Sequence, residues 1–224
     1  MRVHVAFTPD EIAPAPTGIV VDVLRATSTI AQALASGFRR VLCCAEIDEA
    51  RALREEIPGS LVGGERKAVR IEGFDVGASP REFLERRAET LILSTTNGTR
   101  AILETAQRCD EVLLGSLLNL SAVAAAVCDD VVIVCAGFQG AFALDDAYCA
   151  GRIVQLLDGE RSDAAIAAEL LARVFPTALE GLNARTYGPA GLEEDIAFCA
   201  RENALDVVPR LVGVVGTAAE IMPA

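Results

Sequence analysis

Residues 18–37 read GIVVDVLRATSTIAQALASG, and this stretch decides the fold. The apolar, β-branched run from Gly18 to Val23 predicts a buried strand. Asp22 and Arg25 stand at its end, and Thr27, Ser28 and Thr29 offer N-cap hydroxyls. An Ala-rich helix then runs to a stop at Gly37. Strand, polar turn and helix in succession make the repeating unit of an α/β fold. Downstream, Val41 to Cys44 is predicted as the next strand, and Asp48 opens a charged helix through Glu56 that Pro58-Gly59 closes. Leu61-Val62 leads into Gly63 to Pro80, a Gly-rich charged segment predicted as an irregular loop, and loops of that length are usually functional or disordered.

The next section echoes the first. Leu91 to Leu93 reads as a strand, Ser94 to Thr99 as a polar turn, and a helix follows to Gln107. Val112 to Leu114 is the next strand and Asn119 opens another helix. Thr27-Ser28-Thr29 falls opposite Asn97-Gly98-Thr99, with Arg25 and Arg100 flanking the two turns. A third junction leads from Val131–Ala136 through Gly137-Phe138-Gln139-Gly140 into a helix from Asp145-Asp146 to Asp158-Gly159. Ser162 to Val174 is an amphipathic helix, Tyr187-Gly188-Pro189 a loop, Leu192 to Glu202 a helix, and Leu211 to Val215 a final strand. The expectation is one domain over residues 1–224, with a layered sheet flanked by helices and built from repeated strand-turn-helix units. Two similar βαβα halves are expected within it, at about 19–56 and 91–128.

Composition narrows the function. The 224 residues are 52% apolar and 23% charged, which suits a folded globule. The net charge of −12 repels phosphate backbones and anionic membranes, so no nucleic acid and no membrane partner is expected. Val112 to Cys128 is uncharged for seventeen residues, but Gly115-Ser116, Asn119 and Ser121 interrupt it, as suits strand, turn and helix better than a span. One histidine, His4, excludes a two-histidine metal site. Seven cysteines without a C-x-x-C pair, several in apolar runs, argue for a reducing compartment, and with no leader pattern the expected location is cytoplasmic. The Ala-rich helices are compatible with a homodimer.

In open α/β sheets ligands bind beyond the carboxyl ends of the strands. Three such ends carry unusual polarity here: Asp22 to Thr29, Ser94 to Arg100 and Gly137 to Asp146. Helix N-termini and the hydroxyls of Thr27, Ser28, Thr95, Thr96 and Thr99 suit an anion, and Arg25 and Arg66 add fork-shaped donors. The alternative is that the hydroxyls only cap helices. Neither G-x-x-x-x-G-K-[ST] nor G-x-G-x-x-G is present, which argues against a nucleotide. Asp22, Glu65, Asp75, Asp145 and Asp146 lie at turns or in the Gly-rich segment, and such oxygen donors suit Mg²⁺. Asp22 has a structural alternative as the partner of Arg25, and Asp145-Asp146 one in the helix dipole. The acidic run Glu193-Glu194-Asp195 is read as dipole complement alone.

The runs D-V-L-R-A-T-S-T (22–29), G-E-R (64–66), G-F-D-x-G-x-S-P (73–80), T-T-N-G-T (95–99), C-A-G (135–137) and G-x-F-x-L-x-D (140–146) together resemble the 2-phosphosulfolactate phosphatase family, the ComB-type enzymes. The tail around Tyr187-Gly188 and Asp195-Ile196 is similar too. The resemblance implies a Mg²⁺-dependent phosphatase that converts (2R)-2-phospho-3-sulfolactate to 3-sulfolactate, a step that in methanogens belongs to coenzyme M biosynthesis. Two positions depart from the family pattern: Ala78 stands where Asn is common, and Asp145-Asp146 where Glu-Asp is common.

Both lines of reading give one expected mechanism. Asp22, with one or two of Glu65, Asp145 and Asp146, holds Mg²⁺. Arg25 and Arg66 grip the phosphate and sulfonate, with Thr27, Ser28, the segment Thr95, Thr96, Asn97, Gly98 and Thr99, and Gly137 completing the contacts. Water attacks phosphorus in line, with a carboxylate nucleophile ranked second because D-x-D-x-[TV] is absent. Two alternatives have other chemistry: a non-catalytic binder of a small phosphorylated or sulfonated acid, and a sugar-phosphate isomerase whose base would be a carboxylate or Cys135.

Overall fold

The computed structural model describes residues 1–66, 69–186 and 190–224; the Tyr187-Gly188-Pro189 loop lies outside the described residues. The chain begins with β1 (Arg2–Ala6), β2 (Ala15–Val21), α1 (Ala26–Ala35), β3 (Arg40–Cys44), α2 (Ile47–Glu56), β4 (Leu61–Arg66) and β5 (Val69–Arg70). It continues through β6 (Thr90–Ser94), α3 (Gly98–Ala106), β7 (Cys109–Gly115), α4 (Leu120–Ala126), β8 (Val131–Cys135) and α5 (Leu144–Val154). The remainder is β9 (Glu160–Arg161), α6 (Asp163–Val174), α7 (Ala178–Asn183), α8 (Glu193–Cys199), β10 (Pro209–Val215) and β11 (Ala218–Pro223). The strands form one sheet in the order β5-β4-β6-β3-β11-β10-β7-β2-β8-β1-β9.

Strands β4, β6 and β3 pair in parallel, as do β7, β2, β8 and β1. The antiparallel hairpin β10–β11 joins these two groups, with β11 against β3 and β10 against β7. Central parallel strands are buried on both faces, which is why their sequences are apolar runs and not alternations. Ile19 and Val21 of β2 face one core and Val20 the other; Ile133 and Val132 of β8 divide in the same way. One face packs under α1 and α3, through Ile30, Leu34 and Ile102. The opposite face is covered by α4 to α8 beside β7, β2, β8 and β1, and by α2 beside β3 and β6. The layered α/β expectation therefore holds.

Several boundaries differ from the sequence reading. Gly63 to Arg66 continues β4 and is not irregular, because Leu61 to Gly64 pairs with Leu91 to Ser94. The N–H groups of Asp75 and Val76 bind Val62 O, so the following loop folds back over the strand. Tertiary pairing overrides the poor strand propensity of glycine here. The tail holds two strands instead of one, since β11 completes the hairpin, and the helix expected to run to Glu202 ends at Cys199. Val112 to Cys128 divides between β7 and α4, and among the described residues no helix is long and apolar enough to cross a membrane. All seven cysteines are free thiols.

Candidate active site

The turns after β2, β6 and β8 and the end of β4 open onto one cavity of ≈ 600 Å³. Asp22, Arg25, Glu65, Arg66, Thr95, Thr96, Asn97, Gly137, Asp145 and Asp146 all line it, so most of the expected site residues are brought together. Leu24, Ala26, Phe138, Ala143 and Leu192 supply an apolar part of the wall. Ala78, the departure from the family pattern, is also in the lining, and its carbonyl is held by the Thr29 hydroxyl at 2.8 Å.

Four of the expected contacts are corrected. Thr27 and Ser28 are fully buried, and their hydroxyls donate to Asp22 O and Val23 O inside the turn. Thr99 spends its hydroxyl on Thr95 Oγ1 and Cys44 O, so the hydroxyls of Thr27, Ser28 and Thr99 are turned into the fold and brace the turns, and none of the three lines the cavity. Gly98 is absent from the lining and instead lies under Asp22: a Cβ there would stand 2.8 Å from Asp22 Oδ2 and 2.6 Å from the methyl of Ala26. Glycine at this position lets the N-termini of α1 and α3 meet. Gly137 does reach the cavity, but its N–H is taken by Asp146 Oδ2 at 3.0 Å. Its φ of 72° and the carbonyl of Ala141, 2.5 Å from a hypothetical Cβ, require glycine for backbone reasons.

The carboxylates divide by what they already hold. Asp146 accepts Val23 N–H through Oδ1 (2.9 Å) and Gly137 N–H through Oδ2, bracing the ends of β2 and β8. Asp22 accepts Ala26 N–H at 3.2 Å. Burial pushes the Asp22 carboxyl up to about 6, opposed by the Ala26 N–H and reinforced by the nearby charges of Asp145 and Glu65. Burial, with repulsion from Asp145 and Asp22, likewise lifts Asp146 well above the usual carboxylate range. A divalent cation would offset this repulsion, and an all-oxygen donor set suits one. Among the described residues no three His, Cys, Asp or Glu side chains converge as a cage. Asp145 in turn accepts Asp146 N–H through Oδ1 at 3.2 Å, and the arrangement fits a cation held by one or two of the carboxylates Asp22, Asp145 and Glu65 and completed by ligand oxygens. Asp75 takes no part: it pairs with Arg54 at 2.8 Å and accepts Val62 N–H.

The arginines divide as well. Arg66 is held by neutral acceptors: Glu65 O (2.8 Å), Ala45 O (2.7 Å) and Ser94 Oγ (3.1 Å). These three acceptors fix its orientation. Arg25 does not pair with Asp22; its Nη1 donates to Asp195 Oδ2 at 2.6 Å. Asp195, read from sequence as a dipole complement, is thus a buried ion-pair partner, and Ser79 Oγ donates to its other oxygen at 2.6 Å. Arg185, a third guanidinium in the lining, was missed because it lies in an irregular segment without a motif. Cys135 offers no base: burial lifts its thiol well above the ordinary range, with nearby Asp146 adding to the effect. His4 is hydrogen-bonded to Ser162 and lies outside the cavity lining.

Carboxylates facing guanidinium groups at the carboxyl ends of an α/β sheet define an enzyme site for a small anionic substrate. The sequence profile of 2-phosphosulpholactate phosphatase matches residues 5–213. A protein of Carboxydothermus hydrogenoformans named "Probable 2-phosphosulfolactate phosphatase" is 38% identical over 222 residues, covering 93% of this chain and 92% of that protein. Relatives with the same name in Caldanaerobacter subterraneus subsp. tengcongensis (39% identical; 89% of each chain) and Thermotoga petrophila (38%; 94% of this chain and 95% of that protein) agree with it. The chain belongs to the 2-phosphosulfolactate phosphatase family, and it is a phosphoric monoester hydrolase.

Proposed function

We propose that the chain hydrolyses (2R)-2-phospho-3-sulfolactate to 3-sulfolactate and inorganic phosphate, with Mg²⁺, in the cytoplasm, and that its product feeds coenzyme M biosynthesis where that route exists. The observation that carries this reading is one cavity lined by four carboxylates and three arginines. A substrate bearing phosphate, sulfonate and carboxylate needs several cationic contacts, and the arginines meet that need. It would also be repelled by Asp22, Glu65, Asp145 and Asp146 unless a cation stood between them. Asp22, Asp145 and Glu65 would hold that ion; when bound, Mg²⁺ supplies Lewis-acid neutralisation of a phosphate oxygen.

The chain's own groups do the rest. Arg66, oriented by three neutral acceptors, stabilises the equatorial oxygens of the phosphoryl group as charge develops on them. Arg25 and Arg185 orient the sulfonate and carboxylate arms, and Leu24, Phe138 and Leu192 exclude bulk water. Water attacks phosphorus opposite the leaving oxygen; the P–O bond to C2 breaks, and the proton lost by water balances the one gained by the alcohol. Phosphate monoester hydrolysis is accelerated by up to about 10²¹-fold by enzymes, so preorganised charge is the main requirement. A homodimer belongs to this reading, supported by the exposed apolar stripe Ile166, Leu170 and Val174 on α6, and sedimentation measures it.

The test is phosphate release from 2-phospho-3-sulfolactate with Mg²⁺ and with EDTA, beside phospholactate and a phosphosugar. Release that needs Mg²⁺ and favours the sulfonate is expected. Folded protein that binds the sulfonate but releases phosphate from no ester would instead be a binder.

A further inference from the structure

We propose that Asp195 is the positioning residue for Arg25, holding its guanidinium at the cavity wall from outside the cavity. This rests on the phosphate-ester reading above. Arg25 lines the cavity, while Asp195 does not. The two side chains are only 9% and 7% exposed, and their 2.6 Å contact spans 170 residues of sequence. Asp195 has no freedom of its own, because Ser79 Oγ donates to its second oxygen. Ser79 is fixed in turn: it caps the short turn Pro80–Phe83, where Arg81 N–H donates to its hydroxyl and Glu82 reaches back to its N–H. The chain Glu82–Ser79–Asp195–Arg25 therefore joins a loop, the first turn of α8 and the residue that opens α1.

Such an arrangement does two things. It selects one rotamer of a long side chain that would otherwise sample many, so Arg25 meets its ligand without an ordering cost. It also fixes the direction in which the remaining Arg25 donors point. A carboxylate with one oxygen on Arg25 and the other on Ser79 suits this; an isolated surface pair would not. Among the described residues Arg81 is the other cation facing it, with Nη1 3.9 Å from Asp195 Oδ1, and is itself paired with Glu194.

The experiment is a double-mutant cycle on the full chain: wild type, Asp195→Asn, Arg25→Ala and the pair. Two quantities are read: kcat and KM for 2-phospho-3-sulfolactate, and the dissociation constant of 3-sulfolactate, which carries the sulfonate and carboxylate arms, by calorimetry. Asp195→Asn is expected to lower kcat/KM by about 10²-fold, the scale of a 1 Å misplacement. In the Arg25→Ala background the same change is expected to cost no more than about twofold, because the group it positions is gone. Equal losses in both backgrounds, or no loss in either, would overturn the proposal and leave Asp195 as a packing residue. Melting curves check folding; if Asp195→Asn does not fold, Ser79→Ala runs the same cycle, with a smaller loss expected and absence of coupling overturning the idea. Should wild type bind 3-sulfolactate but hydrolyse no ester, the functional reading fails, and the cycle on the 3-sulfolactate dissociation constant still decides the role of Asp195.

Discussion

The turn after β2 and the turn after β6 are alike in sequence and unlike in use. Each ends a buried strand, offers Thr or Ser hydroxyls and opens a helix. In both, a threonine is turned inward: Thr27 closes on the backbone of Asp22, and Thr99 on Thr95 and Cys44 O. What faces the cavity differs. The first turn presents Asp22 and Arg25, while the second presents Thr95, Thr96 and Asn97 without a formal charge. The arginine opposite Arg25 is not in the wall at all, since Arg100 is on the surface with Glu104 and Asp10. One turn is a charged tool and the other its support, with Gly98 admitting Asp22 to the place where they meet.

Breaking this division should show first in Asp22. Asp22→Asn is expected to lower kcat/KM by about 10²–10³-fold, and Asn97→Ala by only about tenfold, a contrast that steady-state kinetics under saturating Mg²⁺ measures. Comparable losses would make the turns equal partners. Gly98→Ala comes next, because its methyl would press on Asp22 Oδ2 and Ala26. A loss of about 1–3 kcal/mol in stability is expected by denaturant titration, with activity reduced beside it.

The pH dependence sharpens the same point. Asp22 has its carboxyl raised from 3.8 to about 6 in the folded chain, so folding favours its protonated form. The associated stability is fully present below pH 3.8 and is lost as pH rises through about 6. Metal-free protein in EDTA should therefore lose on the order of 3 kcal/mol across that window from this group. Asp22→Asn should flatten that part of the curve, and Mg²⁺ should raise the melting temperature more at pH 8 than at pH 5, since its ligands must be deprotonated. The smallest effect is expected at Thr27: Thr27→Val should cost about 1–2 kcal/mol of stability through the lost hydrogen bond to Asp22 O, with KM changed by less than about twofold. A large rise in KM would return Thr27 to the ligand.

The strands and the two turns were legible because burial on both faces writes apolar runs, and because carboxylates at strand ends are unusual. The direction of a hydroxyl was not. Thr27 and Thr96 are equally polar in sequence, and only the packing of α1 turns the first onto Asp22 O, fully removed from solvent. Asp195 was misread for a related reason: Glu193-Glu194-Asp195 looks uniform, yet only Asp195 faces inward to a partner 170 residues away. β4 was cut short because Gly63 and Gly64 read as loop, whereas the edge of β6 supplies their hydrogen bonds.

The hairpin β10–β11 has a kinetic consequence. It occupies the middle of the sheet, yet its neighbours come from far upstream: Arg210 pairs with Leu113, and Glu220 with Leu42. Each parallel group can assemble before the tail arrives, but the seam between them waits for the last strands, and its β11–β3 half joins residues as far apart in sequence as Glu220 and Leu42. Contacts of that separation set slow folding, on the order of milliseconds to seconds. Until they form, β3 and β7 present unpaired edges, and these are where chains in a refolding mixture would be expected to join one another instead.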